Sequence, residues 1–288
     1  FGSWSRIGVS LYTQPASTAA ATSALSPGWS KGGFTFNVTK DNAGIVADLT
    51  IAADSTVSVG DNIQAFAKLF DGMATLHLGK TFGDALRGKV GGGSSVGTVQ
   101  AGDEDAIYTR FKANKGLFLE LKPVDGLFVG AVVNTAALAS DAFEAVQAGV
   151  GYTLKDIGLV RAGYYGDASN GDFIQAAFAY TGMAGLTADL GLKFYSENAT
   201  AAIPVTVGVK YGKDALNVMF RTQALIPAGT AAYDESFGAY VNYKVLDTIV
   251  VGADLGLNSI TGAAKTANVT PYLQYNIPGG GSLNIGFN

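Results

Sequence analysis

The feature that most limits what this chain can fold into is a two-residue alternation of side-chain character. Val205, Val207, Val209 and Tyr211 form one row, with Thr206, Gly208 and Lys210 between them. Phe237, Ala239, Val241, Tyr243 and Val245 form another, against Gly238, Tyr240, Asn242 and Lys244. Leu186 to Phe194 and Ile249 to Leu257 behave in the same way. Two is the side-chain period of a β-strand, whereas a helix repeats at about 3.6 residues. Each such segment is predicted to be a strand with one apolar side and one polar side.

Composition narrows the kind of strand protein. Of 288 residues, 48% are apolar and 15% charged, with 39 glycines and no cysteine; ordinary soluble domains carry roughly 25% charge. High apolar content excludes disorder, and the lack of cysteine excludes a disulfide scaffold or a thiolate metal site. With 19 basic against 23 acidic residues, nucleic acid is not an expected partner. A membrane-spanning helix needs about 20 consecutive apolar residues. The best candidate, residues 127–139, is shorter and carries Asn134 and Thr135. The start lacks a basic segment followed by an apolar one, so the chain reads as a mature form or as one domain of something longer. Residues 1–288 are expected to form a single domain.

The connections between strands take turns. Short ones at 155–158, 183–185, 213–215, 246–248 and 278–281 alternate with longer ones such as 224–233 and 258–265. Antiparallel barrels of the bacterial outer membrane are connected in this way, with the short turns on the periplasmic side. Counting gives about sixteen strands and a short final one at 283–287. Single-chain bacterial barrels normally have an even number. The last segment is therefore expected to share a strand position with residues 4–12, the alternative being an odd count. Tyr152, Tyr180, Tyr211, Tyr243 and Tyr275 each precede a short turn, about 30 residues apart, one per hairpin. They are read as an aromatic girdle at the membrane interface; the competing reading is that tyrosine simply favours strands.

One stretch breaks the hairpin rhythm. Residues 69–89 read LFDGMATLHLGKTFGDALRGK, and no clear strand follows until about residue 110. This resembles the general bacterial porins, in which a glycine turn is followed by TLxLGR and FGDALxG. The segments around Pro123 resemble the next hairpin of that family, so the likeness covers residues 69–134 best. It implies an all-β, antiparallel transmembrane barrel of about sixteen strands, a homotrimer in outer-membrane lipid, and a polar channel in each barrel. It also implies that the loop after strand five folds inward and narrows the channel. Here that loop is about residues 83–105, and it would supply Asp84, Arg87, Lys89, Asp103, Glu104 and Asp105.

Parity assigns the two sides of each strand. A charge facing lipid costs ~2–4 kcal/mol near the midplane, so the apolar row is expected to face lipid and the other row the lumen. Arg6, Lys68, His77, Arg110, Lys112, Arg161, Lys193, Lys210, Arg221 and Lys244 then line the pore, with the acids Asp48, Glu120, Asp189 and Asp254. A mainly basic wall opposite an acidic loop would set a transverse field and a weak preference for anions; the alternative is that these charges are merely solvated or paired. Lys115 shares parity with Phe111, Leu117 and Leu119, which would aim it at lipid unless a bulge at 114–116 or a subunit interface intervenes.

The leading functional expectation is a water-filled pore for passive diffusion of small hydrophilic solutes and ions. Phe66, Phe118, Tyr165, Tyr195, Tyr240 and Tyr272 also lie on the inward row, which keeps open a substrate-specific channel for sugars or organic ions. A plugged structural or adhesive barrel is a further alternative. An enzyme is not expected, because His77 is the one histidine and no base-orienting pattern accompanies it. The glycines at 91–93 lack the phosphate-loop arrangement. Asp103, Glu104 and Asp105 lack calcium-loop spacing, so no cofactor is expected beyond adventitious Ca²⁺ at those acids.

Overall fold

A computed structural model describes residues 2–6, 10–14, 22–26, 31–52, 56–83, 85–90, 110–134, 146–166, 171–196, 201–227, 232–262, 265–278 and 282–286. The strands, in chain order, are β1 (Gly2–Arg6), β2 (Ser10–Gln14), β3 (Thr22–Ser26), β4 (Lys31–Lys40), β5 (Ala43–Ala52), β6 (Val57–Leu69), β7 (Ala74–Gly83), β8 (Phe111–Leu121), β9 (Leu127–Asn134) and β10 (Gln147–Leu154). There follow β11 (Gly158–Tyr165), β12 (Phe173–Met183), β13 (Leu186–Tyr195), β14 (Ile203–Lys213), β15 (Leu216–Ile226), β16 (Asp234–Leu246), β17 (Ile249–Asn258), β18 (Thr266–Asn276) and β19 (Ser282–Gly286). Among the described residues seventeen belong to one antiparallel sheet, the odd count that the sequence left open beside sixteen, and β2 with β3 forms a separate two-stranded sheet.

The chain divides into two compact units: Phe1–Phe82, Lys112–Pro123 and Val132–Ala142 make the first, and Gly83–Phe111, Val124–Ala131 and Phe143–Asn288 the second. In the first, β1 pairs with β4, and β4, β5, β6 and β7 pair in succession. Residues 4–12 are not the single strand expected of them. Trp4 lies opposite Gly33 of β4 while Tyr12 lies opposite Ala24 of β3, so each half has found its own antiparallel partner. In the second unit, β10 to β19 each pair with the next.

Turn chemistry explains the short connections. Two-residue hairpin turns place backbone in the left-handed region, which glycine adopts freely and aspartate more readily than most residues. Asp41, Asp156 and Asp214 have φ of 51°, 58° and 52°, and Gly185 has 78°. The short connections are residues 155–157, 184–185, 214–215 and 247–248, against the longer ones at 227–233 and 259–265. β15 runs on to Ile226, so the loop expected from residue 224 starts three residues later.

Burial is inverted relative to a water-soluble sheet. On one side of β11 to β18, Arg161, Gln175, Asp189, Lys193, Thr206, Arg221, Gln223 and Asp254 are all at most 3% exposed. The alternate positions Val160, Ile174, Leu190, Phe194, Val207, Phe220, Val241 and Val251 lie open. In the first unit Phe34, Phe36, Val38, Ile45, Val59 and Leu78 are likewise open. A chain folding in water loses roughly 25 cal/mol for each Å² of apolar surface left out. This arrangement is favourable only if the apolar side has a medium other than water against it.

A covered polar face and a segment fastened to it

Long charged side chains fit the covered face because small residues flank them. Arg161 lies opposite Ala177, Asp189 opposite Gly208, and Arg221 opposite both Gly208 and Gly238. Gln223 Nε2 donates to Thr206 Oγ1 at 3.3 Å. The Lys193 ammonium lies 3.8 Å from the centre of the Phe173 ring and 4.8 Å from that of Tyr195. Such cation–π contact offsets part of the lost hydration of a buried cation.

Asp189 has three donors around it. The backbone N–H of Lys89 donates to its Oδ2 at 2.5 Å, and that of Val90 donates to the same oxygen. Arg161 Nη2 approaches Oδ1 at 3.5 Å. A buried carboxylate is tolerated only when such donors replace its water. The residues around these two amides are fixed as well. A Cβ on Gly149 or Gly151 would fall 2.7 or 2.5 Å from a Leu86 methyl, so those glycines make the space that Leu86 fills. Val90 is fully buried with Met219 and Tyr240. Residues 86–90 are thus held at β10, β13 and the β15–β16 pair.

Aromatic rings continue the covered face. Phe111 packs 6.4 Å from Phe128 and 5.5 Å from Tyr165; Tyr165 stacks 5.0 Å from Phe173, and Phe173 lies 6.0 Å from Tyr195. Phe111 is fully buried, although parity grouped it with the outward Leu117 and Leu119. Gly116 and Phe118 are buried too, so the side-chain alternation changes phase between Phe111 and Gly116. Lys112 and Lys115 are both exposed.

In the first unit, His77 of β7 lies between β6 and β8. Its Nδ1 is 2.6 Å from Gln64 Oε1 and its Nε2 is 3.6 Å from Glu120 Oε2. The Phe118 ring stacks on it at 5.3 Å and 23°, and Phe66 lies 6.3 Å away.

The other expected residues are placed as follows. Lys68 and Lys89 are exposed, while Asp48, Arg87, Arg110 and Lys210 are half-buried. Lys244 sits at a short turn with its Nζ 2.8 Å from Asp247 Oδ1. Asp84, Asp103, Glu104, Asp105 and the side chain of Arg6 lie outside the described residues. Tyr180, Tyr211, Tyr243 and Tyr275 lie opposite Gly158, Leu186, Leu216 and Ile249, each the first residue of the preceding strand; Tyr152 lies opposite Val160. Charge-based reading passed over the neutral Gln64, Gln175, Thr206 and Gln223. It also left out Lys80, whose Nζ donates to the Gly60 carbonyl at 3.1 Å. Among the described residues, no three His, Cys, Asp or Glu side chains gather as metal ligands would.

No family model matches the chain, and no curated protein matches it in sequence. Solved structures do match in fold. A double mutant of Rh. blastica porin is 14% identical, with 98% of each chain covered and a TM-score of 0.59. A triple mutant of Rhodopseudomonas blastica porin gives the same identity, coverage and score. The chain has a bacterial porin-like fold. A third structure, concerned with the asymmetric conductivity of engineered proteins, is 15% identical over 98% of each chain, with a TM-score of 0.60. Porins turn apolar side chains to lipid and polar ones to their lumen, and the burial seen here has the same inverted sense.

Proposed function

We propose that the protein is an outer-membrane porin whose water-filled channel passes small hydrophilic solutes and ions by diffusion, without catalysis. The observation that carries this is the inverted burial of β11 to β18, polar on the covered side and apolar on the open side. In a closed barrel the open side meets lipid and the covered side meets the lumen. The five tyrosines then ring the periplasmic interface, and the protomers associate as a homotrimer. Residues 86–90, fastened to Asp189, begin a loop spanning about residues 83–105 that narrows the channel. The excess of wall bases gives the channel a weak anion preference.

Refolded protein added to a planar bilayer is expected to produce stepwise conductance that rises linearly with salt concentration. Reversal potentials in a salt gradient read the ion preference, and a clear cation preference refutes that part. Saturable block by one sugar or organic ion would favour a substrate-specific channel. A second reading is a plugged barrel, favoured by one observation: Arg161, Lys193, Arg221 and Asp254 are almost free of solvent, as they would be with the lumen filled. Folded protein without conductance steps would decide for it.

A further inference from the structure

The His77 cluster carries an inference about ion preference that deepens the channel reading and rests on it. Gln64 Nε2 donates to Asn62 Oδ1 at 2.8 Å, which turns Gln64 Oε1 towards His77 Nδ1 at 2.6 Å. A ring nitrogen meets a carbonyl oxygen by donating, so Nδ1 carries its hydrogen whether the ring is neutral or charged. The nitrogen left to titrate is Nε2, which faces Glu120 Oε2 across 3.6 Å. In the neutral ring a lone pair points at that carboxylate; in the imidazolium an N–H does. The stacked Phe118 holds the ring in this plane.

Among the described residues that bond to it or stack on it, Glu120 carries the one charge, and Lys122, two residues beyond Glu120, is exposed. From β8 come Glu120 and Phe118, and from β6 come Gln64 and Phe66. The nearest charge on β6 along the same side is Lys68, exposed and opposite Thr75. On β7 itself the flanking same-side residues are Thr75 and Gly79. A change of protonation at this ring therefore switches the charge of the His77–Glu120 pair between that of a carboxylate and that of a neutral ion pair.

We propose that His77 and Glu120 form a proton-dependent selectivity site on the channel wall. With the ring neutral, the Glu120 carboxylate favours cations locally. With the ring protonated, that attraction is cancelled and the wall bases elsewhere dominate. Protonation of the ring therefore moves the channel towards anions.

His77 is the one histidine of the chain, so its imidazole resonance in NMR is unambiguous and reports its protonation directly. Reversal potentials in a potassium chloride gradient, measured across the same pH series, are expected to step towards anions where that resonance titrates. His77→Gln should abolish the step and keep the high-pH preference throughout. Glu120→Gln should keep a step that ends at a stronger anion preference than that of the wild type, because the site then ends positive rather than neutral. Conductance with no step, or the same step in His77→Gln, overturns the proposal while leaving the channel intact. Folded protein with a titrating His77 and no conductance overturns the channel reading, and the selectivity site with it.

Discussion

Replacing Asp189 by alanine tests how the segment after β7 is held. The substitution deletes the oxygen that accepts from the Lys89 and Val90 amides. Hydrogen bonds to a charged group contribute ~1.5–3 kcal/mol each, so the two together hold the segment by about 3–6 kcal/mol. Burial of Leu86 and Val90, which are 2% and 0% exposed, adds to the hold. Burying an aliphatic side chain is worth ~1.5–3 kcal/mol, so this part comes to about the same. Asp189 thus contributes about as much as this packing does. Even at the lower bound, its loss raises the open population about a hundredfold, since every 1.4 kcal/mol is about tenfold.

Hydrogen exchange followed by mass spectrometry, on peptides covering residues 85–90, reads that population without reference to function. Exchange is expected to be about a hundredfold faster in Asp189→Ala than in the wild type. Asp189→Asn should fall between them, because its amide oxygen still accepts but without charge. In bilayers the alanine variant should show larger and noisier conductance steps as the segment leaves the wall. Wild-type exchange at Lys89 and Val90 in a folded Asp189→Ala protein would refute the reasoning, because the packing of Leu86 and Val90 alone would then be sufficient.

Three other outcomes follow from the same geometry. Val251→Lys puts a charge on the open face and should lower the free energy of folding into lipid vesicles by ~2–4 kcal/mol if it lies near the midplane, while Gln223→Lys on the covered face costs much less; the reverse order would put lipid on the other side. Gly158→Ala places a Cβ 1.9 Å from the Ala179 carbonyl at a φ of +155°, so its urea midpoint in detergent should fall by the equivalent of about 1–3 kcal/mol or more, and an unchanged midpoint contradicts the close approach of β11 and β12. The hydrogen bond and charge of Lys244 hold the exposed Asp247 carboxyl below the usual carboxylate range. That small contribution is therefore present above the unfolded value of about 3.9 and is lost as pH falls through the folded one; NMR titration should show the Asp247 value rising in Lys244→Gln.

Parity made the strands and their two-sided burial legible, because successive side chains of a strand point to opposite faces. It could not reveal where that alternation changes phase. The shift between Phe111 and Gly116 moves one residue to the other side; the parity of Lys115 raised a bulge at 114–116 but left a subunit interface equally open. The attachment at Asp189 was equally hidden. Its donors are backbone amides 100 and 99 residues away in the chain, and nearly every residue has such an amide, so no side-chain pattern marks the partner.

The same limit applies to counting wall charges. Sidedness tells which charges face the lumen, but a permeating ion responds only to those without a close counter-charge. Asp189 and Arg161 face each other at 3.5 Å and are both almost completely buried, so they leave the acid and base columns together and the base excess stands. Lys244 leaves alone, because its partner Asp247 is a turn residue that parity never counted, and the excess shrinks by one. His77 belongs to the base column only while protonated. On the proposed channel reading, the wall's preference for anions is then weakest while the His77 ring is neutral and the Glu120 carboxylate acts uncompensated.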